Sequence, residues 1–191
     1  MPPPDSPTPA QPDILLEVNG LDVVFPTEGG TVYAVRNSTF ELRAGRTLAI
    51  VGESGSGKSV SCYAILRILQ EPGRIDRGSI LFHSKRQGET VDLAAMNPKD
   101  PRLFKIRGGS ISLIFQEPQT ALSPVHTIGN QLIEAIRLHQ DLTKKEARER
   151  AIEMLATVGM PQPENRIDQY PHEISGGMRQ RVVIAMALVC R

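Results

Sequence analysis

Apolar residues recur at alternate positions early in the chain and at helical spacing later. From Ile14 onward, Leu16, Val18, Leu21, Val23 and Phe25 predict short strands that end in a turn over residues 26–30. Residues 31–35 and 38–42 predict further strands of the same meander. Thr47-Leu48-Ala49-Ile50-Val51 is an apolar run between Ala44-Gly45 and Gly52, the pattern of a strand buried on both faces. Residues 59–70 read as a helix with Ile65, Ile68 and Leu69 on one face, stopped by Pro72-Gly73. Residues 78–84 predict a strand, 87–101 a polar loop, and 111–115 a second buried strand. Farther on, Ile128, Leu132, Ala135 and Ile136 form one helical stripe. Thr143 and Glu146 predict a capping box, the threonine oxygen accepting the Glu146 N–H while the glutamate reaches back. Ala147, Ala151, Leu155 and Val158 continue that helix until Gly159 and Pro161 end it. Residues 179–189 predict a last helix, apolar nearly all round and therefore buried.

Composition narrows the picture. The chain has 191 residues, with 22 basic against 21 acidic side chains and a net charge of +1. That length suits one domain with a sizeable core. The balanced charge leaves no footprint for non-specific nucleic-acid binding. The longest apolar run, 182–190, is far short of the roughly 20 residues that span a bilayer. Cys62 and Cys190 have no metal-ligand neighbour at useful spacing and read as buried thiols of a reducing compartment. Prolines at 2, 3, 4, 7, 9 and 12 predict a disordered or polyproline-like leader over 1–13 (an SH3-type ligand is the functional alternative). No basic region followed by an apolar stretch marks a signal peptide.

Gly52-Glu53-Ser54-Gly55-Ser56-Gly57-Lys58-Ser59 matches G-x-x-x-x-G-K-[ST], with an expected strand before it and an expected helix after. Small residues let successive backbone N–H groups turn inward as an anion nest at a helix start. Lys58 suits the β- and γ-phosphates, and the Ser59 hydroxyl is a ligand of the right hardness for Mg²⁺. The expected binding set runs from Gly52 to Val60 without a gap. A second anion site is expected at Ser175-Gly176-Gly177-Met178, where a serine N-cap and two glycines leave N–H groups bare at a positive helix end. Taken alone, those residues read better as a plain capped helix start with a loose glycine turn.

Together the two motifs resemble the ATPase subunits of ABC (ATP-binding cassette) transporters, whose signature reads L-S-G-G-Q. Ile174 stands at the leucine position and Met178 at the glutamine position, with Gln180 two residues later. The form I-S-G-G-M-R-Q-R is similar to dipeptide and oligopeptide importer ATPases, as is FQEPQTALSPVHTIGNQL over 115–132. The resemblance covers about residues 14–191. It implies an α/β P-loop NTPase of the ABC ATPase type: a mixed sheet core, an antiparallel β subdomain, and a helical subdomain over about 118–180. It implies Gln116 as the Q-loop glutamine, binding Mg²⁺ with Ser59 and positioning the attacking water beside Lys58. It places an aromatic ring on adenine, with Phe25 the first candidate and Tyr33 the second, although either would also serve as core.

The same resemblance implies ATP and Mg²⁺ as cofactors and import of peptides or a related solute as the work. Partners are a second ATPase subunit in a head-to-tail dimer, integral membrane permease subunits and, indirectly, an extracytoplasmic solute-binding protein, with no nucleic acid. The implied location is peripheral, on the cytoplasmic face of the inner membrane. The family's next element, a strand ending in two acidic residues and then a histidine, would follow Arg191, so the chain is expected to stop after the signature helix. Asp168 and Glu173, and His83, His126, His139 and His172, all precede that position. Without the strand, Ile50 and Ile114 are expected to be uncovered and the isolated chain to be marginal. Two alternatives remain open: a soluble ABC ATPase acting on DNA or ribosomes, and a nucleotide-binding module that never turns over.

Overall fold

The computed structural model describes residues 14–84, 88–117 and 121–190, so the proline-rich leader lies outside them. The chain divides into two compact units, one up to Asp100 and one from Pro101. In the first, β1 (Ile14–Thr27) and β2 (Gly30–Arg43) form one long hairpin. The predicted short strands are therefore continuous, and the turn narrows to Glu28-Gly29. Helix α1 (Lys58–Ile65) follows, then β3 (Arg74–Ser84) and β4 (Glu89–Asp92). All pairings are antiparallel, in the order β2–β1–β3–β4. Val18, Leu21, Val23, Val24 and Ile80 are fully buried and form the core of this unit.

Four expectations need correction. Residues 47–51 form no strand: no strand among the described residues pairs with them, and Leu48, Ile50 and Val51 are 42%, 43% and 92% exposed. An extended run without a neighbour has nothing to satisfy its main-chain groups or cover its side chains. Residues 111–115 make only an isolated parallel bridge between Arg107 and Ile111, and Ile114 is 49% exposed for the same reason. The polar stretch after residue 87 contains β4, which pairs with β3 through Leu81–Asp92 and Phe82–Val91. Helix α1 is also shorter than expected. It ends at Ile65, and Arg67 takes a left-handed φ of 54° before the Pro72-Gly73 turn.

The second unit is helical: α2 (Pro101–Ile106), α3 (Ile128–His139), α4 (Lys144–Thr157), α5 (Pro163–Arg166), a 3₁₀ turn (Pro171–Glu173) and α6 (Gly176–Val189). The short elements α2, α5 and the 3₁₀ turn have too few residues for a periodic signal. The predicted stripes of α3 and α4 meet α6 in one core containing Ile128, Leu132, Ile136, Ala151, Leu155 and Val182. Thr143 and Glu146 form the expected capping box. Gln131 is buried, yet its side chain bonds the Ser123 N–H and the carbonyls of Ser123 and His126, which fixes the loop leading into α3. No helix among the described residues is long and apolar enough to cross a membrane.

Candidate nucleotide site

The loop over residues 52–57 turns the chain into the start of α1. Its sequence forces the shape. Gly55 and Gly57 adopt φ of 83° and 87°, a region costly for any residue with a Cβ. A Cβ on Gly52 would stand 2.7 Å from the Ser56 hydroxyl, so the loop is tight there and a side chain would have to push that hydroxyl aside. A Cβ on Gly57 would meet the Ala34 carbonyl and stand 3.2 Å from Val35 Cγ2, so this end of the loop lies directly against β2.

Lys58 folds back into that loop. Its ammonium donates to the Gly52 carbonyl at 2.7 Å, the Glu53 carbonyl at 2.6 Å and the Ser56 hydroxyl at 3.2 Å. The N-cap of α1 is Gly57, which offers no side chain to the first N–H groups. A positive charge and bare amide donors therefore converge at a positive helix end, the arrangement that binds polyphosphate. Ser59 lies exposed one residue into the helix, and Val60 is half-buried behind it. Glu53 and Ser54 are exposed on the loop.

Phe25 is half-buried on β1, opposite Val32 of β2. It shares a strand face with Val23, whose cross-strand partner is Val35, the residue behind Gly57. Tyr33 pairs with Val24, is 45% exposed, and carries the Arg36 guanidinium 4.5 Å from its ring centre. The outer end of the Phe25 ring rests on Gly73, a neighbour no local pattern announces, because it arrives through the β1–β3 pairing of Val24 with Arg74.

Gln116 lies in the second unit, exposed on the irregular segment after Phe115. The signature also belongs to that unit. Ser175 caps α6, its hydroxyl accepting the Met178 N–H at 3.3 Å. Ile174 is buried beneath it, while a Cβ on Gly177 would meet nothing within 4 Å. Arg181, one turn farther on, donates to the Val158 carbonyl at 2.5 Å and so ties the start of α6 to the end of α4.

The histidines and acids set aside on sequence have ordinary partners. His83 bonds Glu17 and Thr90, His126 bonds Ser123, His139 packs on Gly108, and His172 stacks on Tyr170. Asp168 pairs with Arg148, and Glu173 accepts the Tyr170 N–H. Cys190 is buried, and burial pushes its thiol pKa up; Cys62 is only half-buried.

The fold is that of an ABC transporter cassette. A bacterial ABC transporter cassette solved as a dimer superposes with a TM-score of 0.75 at 25% identity, over 92% of this chain and 70% of that one. A second solved structure, cbiO1 of Clostridium perfringens, gives a TM-score of 0.67 at 25% identity, over 93% of this chain and 62% of that one. Residues 35–191 match the ABC transporter family, and the chain belongs to it. Among curated relatives, a putative peptide import ATP-binding protein of Brucella abortus is 49% identical over 92% of this chain and 52% of its own length. The oligopeptide transport ATP-binding protein OppD of Bacillus subtilis is 49% identical over 91% and 47%, and the dipeptide transport ATP-binding protein DppD of the same organism 50% identical over 92% and 50%. The chain thus spans about half the length of the curated relatives it matches.

Proposed function

We propose that this chain is the ATP-binding and ATP-hydrolysing part of a subunit that powers import of peptides, or a related small solute, across the cytoplasmic membrane. The observation that carries the reading is the Lys58 ammonium enclosed by the loop at the uncapped start of α1. The peptide-import and peptide-transport roles named for the relatives support the peptide class. Gly52, whose missing Cβ leaves room for the Ser56 hydroxyl, helps shape the cradle for a triphosphate. Lys58 exchanges its carbonyl partners for β- and γ-phosphate oxygens and, with N–H groups of the loop and of the start of α1, offsets charge on the transferred group. The exposed Ser59 hydroxyl is a hard oxygen donor that fits Mg²⁺, which when bound would neutralise charge on the phosphates, and the family resemblance assigns Gln116 to the same ion.

Phe25 stacks on the adenine. Ser175, Gly176, Gly177 and Met178 present the start of α6 to the γ-phosphate of ATP held by a second, head-to-tail subunit. Nucleotide then favours the closed pair and hydrolysis the open one, and the difference drives attached permease subunits between orientations. The helical region over about 118–180 carries that coupling. Within this reading the subunit sits peripherally on the cytoplasmic face, and an extracytoplasmic binding protein delivers the solute to the permease. The test is peptide uptake in a strain lacking the gene. Wild type is expected to restore uptake and Lys58→Ala to leave it at the deletion level. Uptake restored equally by both overturns the proposal.

A further inference from the structure

We infer that Gly73 is a positioning residue for the base-stacking ring, seating Phe25 so that it meets the nucleotide. The inference rests on the reading of this loop and strand as an ATP site. A Cβ built on Gly73 would stand 2.5 Å from Phe25 Cε1, 2.7 Å from Phe25 Cζ and 2.8 Å from the Gln70 carbonyl oxygen. No side chain fits between the ring and the backbone, so the ring end lies directly on the Gly73 main chain. That main chain is held in turn. The Gly73 N–H donates to the Gln70 carbonyl at 2.8 Å, and the next residue, Arg74, pairs with Val24 beside Phe25.

The glycine is needed for space and not for backbone freedom, because its φ lies outside the left-handed region. Alanine at this position is therefore conformationally allowed but must displace either the Phe25 ring or the Gln70 carbonyl. A ring moved by about an ångström from its stacking position loses base contact, while Lys58 keeps its bonds to Gly52, Glu53 and Ser56, none of which involves Phe25 or Gly73. Base stacking on an aromatic ring contributes a factor of about ten to affinity. The loss on Gly73→Ala should therefore fall on the base-dependent part of binding alone.

The experiment measures ATP and inorganic triphosphate affinities for wild type, Phe25→Ala, Gly73→Ala and the double variant. Triphosphate binding reports the intact loop and fold. The expected result is that each single variant lowers ATP affinity about tenfold with triphosphate affinity unchanged, and that the double variant falls no further than Phe25→Ala. Equal loss of both ligands in Gly73→Ala, unchanged ATP affinity there, or additive losses in the double variant would overturn the inference while leaving the stacking role of Phe25 standing. No effect of Phe25→Ala would overturn that role and the inference together.

Discussion

Asp22 sits on β1 where its pairing with both neighbouring strands loses register. Its carboxylate accepts the Asn37 N–H at 2.5 Å and faces the Arg77 guanidinium at 2.9 Å. The Asn37 N–H holds its pKa below the usual carboxylate range, and Arg77 and Arg36 add to that against the opposing effect of burial. A depressed folded pKa means stability that is present above the unfolded value of about 3.9 and is lost as pH falls through the folded one. Asp22→Asn is expected to lower the denaturant midpoint at neutral pH and to flatten its decline below about pH 4; an unchanged acid limb would exclude this role. Gly57→Ala should also be costly, since φ of 87° and the Ala34 carbonyl both oppose a Cβ. Strain of about 1–3 kcal/mol is expected in the thermal midpoint, together with weakened ATP binding. The loop residues were legible in the sequence because glycine spacing there encodes backbone geometry directly. Gly73 and the backing of Gly57 by Ala34 and Val35 were not, because they arise from strand pairing between distant segments.

At the scale of elements, local chemistry was the most readable signal. Thr143 and Ser175 both act as N-caps, and each accepts the N–H three residues on. Ser175→Ala and Thr143→Ala should each cost about 1 kcal/mol in denaturant unfolding, whereas a change under a few tenths would mean the caps are idle. The Ser175 variant should in addition weaken nucleotide-driven pairing of subunits, and the Thr143 variant should not. Periodic stripes on α3 and α4 were legible for the same reason, since Leu132, Ile136, Ala151 and Leu155 recur at helical spacing and are buried. The two apolar runs at 47–51 and 111–115 misled because their composition reports the surroundings a strand requires. It does not report whether those surroundings are present, and Val51 is almost fully solvent-facing.

The whole molecule therefore combines well-packed cores with bare apolar segments. Leu155→Ala, in the core shared by α3, α4 and α6, should cost about 2–5 kcal/mol. Val51→Ser, at a position 92% exposed, should cost less than about 0.5 kcal/mol and reduce binding of a hydrophobic dye. A core-sized loss at Val51 would show that the segment is covered in solution. The family match over residues 35–191 spans parts of both units. The proposed function depends on the loop that Lys58 closes. The most direct measurement is calorimetric titration of Mg²⁺–ATP into wild type and Lys58→Ala. Wild type should bind, and loss of the charge-assisted bonds, about 3 kcal/mol, should lower affinity about a hundredfold in the variant. Equal affinity in the two proteins would contradict the assignment of the phosphate site.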